Sequence, residues 1–109
     1  MRFALKALAL LVVLAPFAAS TQAQDKKKYK ILYITQSKGF KHGSVNRKDQ
    51  AGLAPSEVSM TELAQSSGLF DVECTQDASV LTVDKLKELD AVMFYTTGGI
   101  PVKEVFPQF

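Results

Sequence analysis

The chain contains a single cysteine, Cys74, and a single histidine, His42. One cysteine cannot form an internal disulfide, so burial of apolar side chains has to hold the fold together. A structural or catalytic zinc site needs several histidine, cysteine or carboxylate ligands, and this chain has neither a second histidine nor a cysteine cluster. The sequence therefore predicts no metal site, and we expect no other bound cofactor.

Residues 1–23 have the three parts of a secretory signal peptide. Arg2 and Lys6 make the start positive, and an apolar run extends from Ala7 to Ala15. The cleavage site is Thr21-Gln22-Ala23. The run is ended by Pro16 and is shorter than the roughly 20 residues that a membrane-spanning helix needs. No cysteine near the cleavage site offers a lipid attachment point. We expect cleavage after Ala23, a secreted or periplasmic protein, and no stable membrane anchor.

The chain has no net charge once the signal peptide is set aside. Of the 13 lysine and arginine residues, 11 remain, against 11 aspartate and glutamate residues. Nucleic-acid binding is not expected from so balanced a chain. Basic residues still cluster in a solvated lead-in over residues 24–29 and, after the first strand, at Lys38, Lys41, Arg47 and Lys48. The second cluster could attract a phosphate or carboxylate, but a solvated face is the preferred interpretation.

An apolar strand is predicted at Lys30 to Thr35, followed by a long polar loop over Gln36 to Leu53. A continuous apolar run is typical of a parallel strand that is covered on both faces. In open α/β sheets, ligands bind outside the carboxyl ends of such strands. His42 lies in this loop and is the first candidate for function, because an imidazole can change its charge near physiological pH.

Helix and strand signals alternate through the rest of the chain. The first predicted helix runs from Pro55 to a stop at Gly68, with a buried stripe at Met60, Leu63, Ala64 and Ser67. An alternating edge strand follows at Phe70 to Thr75. The second helix is capped by Thr82 and has Val83, Leu86 and Leu89 on its buried side, and an apolar strand follows at Asp90 to Thr96. This order predicts the α/β class and a flavodoxin-like three-layer sandwich with parallel strand order 2-1-3. His42 and Gly98 would flank the topological switch point between the first and third strands.

The third strand is predicted to be central, yet only Ile100 to Phe109 follow its glycine turn. That length is too short for another helix and strand, and a bare apolar sheet edge promotes aggregation. We therefore expect residues 30–109 to be the N-terminal part of a larger domain, so that the three-layer sandwich is incomplete.

Four segments, taken in order, resemble the opening half of ThuA-like (trehalose-utilisation) domains. They are Lys30 to His42, Leu53 to Glu57, Cys74 to Asp77 and Phe94 to Gly98. That family is similar in fold to class I glutamine amidotransferases, and the resemblance extends over Tyr29 to Gly98. In related glutaminases a glycine turn after the third strand helps to form the oxyanion hole, and Thr97-Gly98-Gly99 is similar to that turn. The nucleophile of those enzymes comes later in the chain than the position of Phe109.

The resemblance implies an exported protein with a carbohydrate-related small molecule as its partner and without catalysis of its own in this segment. His42 is the candidate proton donor or acceptor. The candidate ligand-binding residues offer hydroxyl or backbone N–H groups on the two loops, and they are Thr35, Ser37, Gly39, Thr97, Gly98 and Gly99. Cys74, Tyr33 and Tyr95 are interpreted as packing residues.

Three alternatives stay open at this point. His42 is equally well explained as an exposed loop histidine without a role. The chain could instead be a non-catalytic module for binding or for docking a partner. It could also be a truncated remnant without function, an interpretation that cooperative unfolding of the chain would contradict.

Overall fold

The computed structural model describes residues 26–49 and 52–100. Strands and helices alternate along them as β1 (Tyr29–Ile34), α1 (Pro55–Ser67), β2 (Phe70–Thr75), α2 (Val83–Lys87) and β3 (Ala91–Phe94). Single 3-10 turns lie at Gly43–Val45 and Ala78–Val80. The predicted signal peptide at residues 1–23 lies outside the described residues, as does the segment 101–109.

The three strands form one parallel sheet in the order β2-β1-β3. Leu32 in the central strand pairs with Glu73 on one side and with Val92 on the other. Each neighbour of β1 is reached by a crossover that contains a helix, as parallel pairing requires. The predicted α/β class and the strand order 2-1-3 are therefore confirmed, and the arrangement is that of an incomplete flavodoxin-like sandwich.

The main hydrophobic core lies on the α2 face of the sheet. Leu32 and Ile34 are completely buried there against Ala78 and Leu81. Val83 and Leu86 of α2 and Leu89, which follows the helix, pack against this cluster, as predicted. Because side chains alternate along a strand, Tyr33 points to the opposite face, and it is buried as well. Both faces of β1 are thus covered, as its continuous apolar sequence predicts.

Helix boundaries agree with their sequence signals. Helix α1 begins at Pro55 and ends at Gly68, whose φ of +64° is left-handed and whose N–H donates to Ala64 O. Thr82 caps α2, because its Oγ1 accepts a hydrogen bond of 3.1 Å from Lys85 N. These caps supply partners for terminal backbone groups that no helical hydrogen bond can reach.

The buried side of α1 differs from the predicted stripe. Glu57 and Ala64 are buried, whereas Leu63 is 53 % exposed. Successive helical residues are about 100° apart around the axis, so a helix that turns Ala64 towards the sheet turns Leu63 away from it. Apolar spacing identified the helix, but the residue that fixes its orientation is the polar Glu57.

Strand β3 is less covered than its apolar sequence predicts. Met93 pairs with Tyr33 and remains 40 % exposed, and Phe94 remains 41 % exposed. Helix α1 packs on β2, so Met93, which lies on the same face as Tyr33, has less cover, whereas Phe94 lies on the opposite face. Among the residues described, no helix has the length and apolar character to cross a bilayer.

Candidate functional site

The loops that follow β1 and β3 meet at the carboxyl end of the sheet. Ser37 and Thr97 form a parallel bridge, in which Lys38 N donates to Thr97 O at 2.9 Å. The Thr97 hydroxyl donates to Phe40 O at 2.7 Å and ties the next part of the first loop to the second. The predicted switch point is therefore closed at its base by backbone pairing, and a ligand has to lie above it.

The close approach of the loops that follow β1 and β3 requires a glycine at position 98. Its φ is +77°, a conformation that costs an L-residue with a side chain roughly 1–2 kcal/mol. A Cβ at this position would lie 3.1 Å from Lys38 Cβ. The glycine turn thus allows the second loop to lie directly against the first.

Two aromatic rings, those of Phe40 and Tyr95, flank the candidate residue His42 above the bridge, and we call the three side chains the aromatic cluster. The His42 ring lies 4.9 Å from that of Phe40, edge to face, and 6.1 Å from that of Tyr95, nearly parallel at 30°. Ser44 Oγ and Tyr95 Oη are hydrogen-bonded at 2.8 Å. Phe40 is 73 % exposed and Tyr95 38 % exposed. Tyr33 is buried, which confirms its interpretation as a packing residue, whereas Tyr95 is partly exposed and packs on the His42 ring.

A second, buried arrangement holds the same loop in place from its other end. Glu57 Oε2 accepts from Arg47 Nε at 2.8 Å and from Ala54 N at 2.9 Å. Its Oε1 accepts from Arg47 Nη2 at 3.0 Å and from the Thr35 hydroxyl at 2.5 Å. Both oxygens of this fully buried carboxylate are thus satisfied. We call Thr35, Arg47, Glu57 and Gln76 the Glu57 network.

Charge balance keeps Glu57 ionised. Burial alone would raise the pKa of its carboxyl, but hydrogen bonds from Arg47, Thr35 and Ala54 N, with the Arg47 charge, outweigh burial and hold the pKa below its ordinary value. A buried carboxylate is stable only with such partners. The bidentate contact with Arg47 therefore joins the long loop to α1.

Gln76 completes this anchorage from the end of β2. Its Nε2 donates to Val45 O at 2.7 Å and to Thr35 Oγ1 at 3.3 Å. Val45 itself is buried. The turn that follows His42 is therefore fixed against both β1 and β2, which positions His42 although the histidine itself is exposed.

The candidate ligand-binding residues fall into three environments. Thr35 is fully buried and its hydroxyl belongs to the Glu57 network. Ser37 and Thr97 form the bridge, and the Ser37 hydroxyl is buried without a hydrogen-bond partner in the part of the chain that the structure describes. Gly39 and Gly99 lie in open space. The structure thus brings Ser37, Thr97 and Gly98 together and separates Thr35 from them by burial.

Sequence reasoning missed the Glu57 network. In the sequence Arg47 is only one of several solvated basic residues, and nothing marks Glu57 as its partner. One signal was available, because Glu57 is the third residue of a helix that starts at Pro55, the position from which a glutamate can accept the N–H of the residue before the helix. Its pairing with Arg47 depends on the folded path of the loop.

Cys74 is a poor nucleophile in this structure. Its thiol lies 3.9 Å from Glu57 O. Burial, reinforced by the negative charge of Glu57, raises the pKa of the Cys74 thiol above its ordinary value. Since the thiolate is the reactive form, packing is the role that its surroundings favour. Across residues 26–49 and 52–100, no group of three or more histidine, cysteine or carboxylate side chains is arranged to hold a metal ion.

Helix α1, the bridge and the Glu57 network together position two features at the carboxyl end of the sheet, the exposed aromatic cluster and the basic loop residues. Comparison of the chain with family models, with curated proteins and with solved structures finds no match. Assignment of a family and a function therefore depends on the residues and on their arrangement.

Proposed function

We propose that this protein is an exported ThuA-like domain protein that binds a carbohydrate-related small molecule at the aromatic cluster. The observation that carries the proposal is the position of His42, between Phe40 and Tyr95, above the point where the loops of β1 and β3 meet. This is the topological switch point, where open α/β sheets bind their ligands. The resemblance of four ordered segments to ThuA-like domains supplies the class of ligand.

The chemistry of the aromatic cluster suits a sugar. A pyranose has C–H groups on its faces and hydroxyl groups around its rim, so it packs on exposed aromatic rings and hydrogen-bonds to polar groups beside them. Phe40 offers a largely exposed ring. The hydroxyl pair of Ser44 and Tyr95, joined to the cluster by the packing of Tyr95 on His42, can exchange its mutual hydrogen bond for bonds to a ligand.

The ring nitrogens of His42 can both accept and donate a proton, which the ring of Phe40 cannot do. In this proposal His42 accepts a hydrogen bond from one ligand hydroxyl, or donates one to a ligand oxygen. No covalent step is assigned, because the surroundings of Cys74 favour the protonated thiol. The proposed activity is therefore binding, with His42 able to move a proton at a ligand oxygen.

A second candidate function is partner docking, and the exposure of β3 favours it. Met93 and Tyr95, which lie at alternate positions, are each about two fifths exposed. Exposed apolar side chains that adjoin one another are typical of surfaces that contact another molecule. A docking module would use these side chains to contact its partner and would not bind free sugars.

The test is a calorimetric titration of the full 109-residue chain with trehalose and with glucose. We expect saturable binding of at least one of them, and a loss of affinity of about tenfold for Phe40→Ala and for His42→Ala, the size of one good contact. Leu69→Ala is the matched control, because it removes an apolar side chain that is 56 % exposed between α1 and β2.

Binding by His42→Ala that equals the parent would remove the histidine from the site. A folded chain that binds neither sugar would contradict the proposed function and favour docking. Cooperative thermal unfolding of the same sample is the check that the chain is folded, and it also tests the remnant interpretation.

A further inference from the structure

A second surface lies at the carboxyl ends of β1 and β2. It is an open cavity of about 330 Å³, and we call it the basic cavity. Lys41, Arg47, Lys48, Asp49 and Gln76 line it. Its volume is within the range of small-molecule sites, roughly 300–1,000 Å³. We propose that the basic cavity binds an oxyanion of the phosphate class, either inorganic phosphate or a phosphate monoester. This site goes beyond the proposed sugar site and does not depend on it.

Two lysines supply positive charge at this surface without pairing with a carboxylate of the described residues. Lys41 and Lys48 have no ion pair or hydrogen bond with any described residue, although Lys28, Lys85 and Lys87 each pair with a carboxylate. Asp49 is the one acidic residue that lines the basic cavity, and its Oδ1 accepts from Gly52 N. Since Arg47 is balanced by Glu57, the lining keeps a net positive charge from the two lysines over Asp49.

Arg47 adds a donor that is already oriented. Glu57 takes the Nε and Nη2 edge of the guanidinium in a bidentate contact, and no described residue takes a hydrogen bond from Nη1. The side chain is only 21 % exposed. A planar guanidinium held in this way can donate to an oxyanion without a further loss of side-chain freedom.

Gln76 forms a fixed wall beside Arg47. Its amide nitrogen is occupied by Val45 O and the Thr35 hydroxyl, so it cannot turn towards solvent without breaking both hydrogen bonds. The basic cavity therefore combines a rigid base, made of Arg47 and Gln76, with two long cationic side chains at its margin. This convergence argues for an anion site, in contrast to the solvated face that the sequence favoured.

The experiment is a titration of the full 109-residue chain with inorganic phosphate at low ionic strength, followed by ¹H–¹⁵N NMR. We expect saturable shifts at the Arg47 Nε–H and at the backbone of Lys41 and Lys48. The double variant Lys41→Gln with Lys48→Gln should weaken binding at least about tenfold, because charge-assisted hydrogen bonds to the anion are lost. Asp49→Asn should strengthen phosphate binding, because it removes a negative charge that repels the anion from the lining.

The matched control is Lys26→Gln with Lys27→Gln, which makes the same change of charge at two exposed positions in the lead-in. Equal weakening in both double variants would mean that phosphate responds only to net charge, and would overturn the proposal. Absence of localised shifts in the parent would overturn it too. Circular dichroism of each variant shows that the fold is kept.

Glucose 6-phosphate and glucose, titrated in parallel, distinguish the two sources of the anion. Tighter binding of glucose 6-phosphate than of inorganic phosphate identifies a monoester as the occupant, and equal or weaker binding identifies the free anion. Either result supports the basic cavity. Binding of inorganic phosphate by His42→Ala at the affinity of the parent would separate this site from the aromatic cluster, whatever the outcome for sugars.

Discussion

The aromatic cluster and the Glu57 network hold two parts of the same loop, and they are built in different ways. His42 and its neighbours are exposed, and their contacts are two ring packings and one hydroxyl pair. Glu57 is fully buried, and its carboxylate accepts four hydrogen bonds. The buried pair of Arg47 and Glu57 thus fixes one end of the loop, and the end that carries His42 stays exposed and free to contact a ligand. Substitutions in the two regions should therefore separate stability from binding.

The largest effect is expected from Glu57→Ala. The substitution leaves Arg47 largely buried without its counter-charge and removes the acceptor of Thr35 and Ala54 N. Breaking a buried pair in this way costs about 3–5 kcal/mol. Urea unfolding followed by circular dichroism measures it. Glu62→Ala on the exposed side of the same helix is the control, with an expected change within about 0.5 kcal/mol. Equal losses for the two variants would contradict the role of the Glu57 network.

Acid should weaken the same region. Folding lowers the pKa of Glu57 below its ordinary value of 4.5. The carboxylate thus contributes stability that is fully present above pH 4.5 and is lost as the pH falls through the lower pKa of the folded state. The difference in unfolding free energy between the parent and Glu57→Gln should therefore shrink from pH 7 to pH 3. A difference that stays constant over this range would show that ionised Glu57 does not supply the stability.

An intermediate effect is expected where the two loops meet. Gly98→Ala should cost roughly 1–2 kcal/mol, because a Cβ is unfavourable at a φ of +77° and would crowd Lys38. Faster hydrogen exchange at Lys38 N, which donates to Thr97 O, reports the opening of the bridge. Gly99→Ala is the neighbouring control, since a Cβ there meets no atom within 4 Å. If both variants behaved alike, the close approach at Gly98 would not be the reason for its glycine.

The smallest effect on stability is expected in the aromatic cluster. Tyr95→Phe removes one hydroxyl from an exposed pair with Ser44, and such surface changes are usually within about 0.5 kcal/mol. Tyr29→Phe is the matched control, because Tyr29 is 58 % exposed at the start of β1. Thermal unfolding compares the two. A loss of stability from Tyr95→Phe as large as that from Glu57→Ala would remove the distinction between the two regions.

Several parts of the fold could be predicted because their signals are local. Pro55, Gly68 and Thr82 mark helix ends through their own backbone or hydroxyl chemistry, and the structure confirms all three. The alternation of Phe70 to Thr75 identified the edge strand for the same kind of reason. The exposure of Met93 and Phe94 was not predictable, since an apolar strand has the same sequence whether or not a helix covers it.

The candidate site was predicted in part. The sequence placed His42 and the Thr97-Gly98-Gly99 turn at one end of the sheet, and the bridge between Ser37 and Thr97 shows that the two loops do meet there. The contact of His42 with Tyr95 was not predictable, because Tyr95 approaches it only once β3 lies beside β1. Thr35 was expected to face a ligand, and its burial under Arg47 and Glu57 depends on the path of a long loop.

What the sequence by itself determined is the order of elements, their ends and the parallel arrangement. Periodicity and caps act over a few neighbouring residues, and a connection that contains a helix favours parallel pairing of the strands it joins. Tertiary structure alone decided which charges are neutralised and which stay available. Arg47 and Lys48 are adjacent in the chain and look alike in sequence, yet one is fixed on a buried carboxylate and the other has no ion pair with a described residue. That difference follows from desolvation, which depends on what surrounds a charge in the folded protein rather than on its neighbours in sequence.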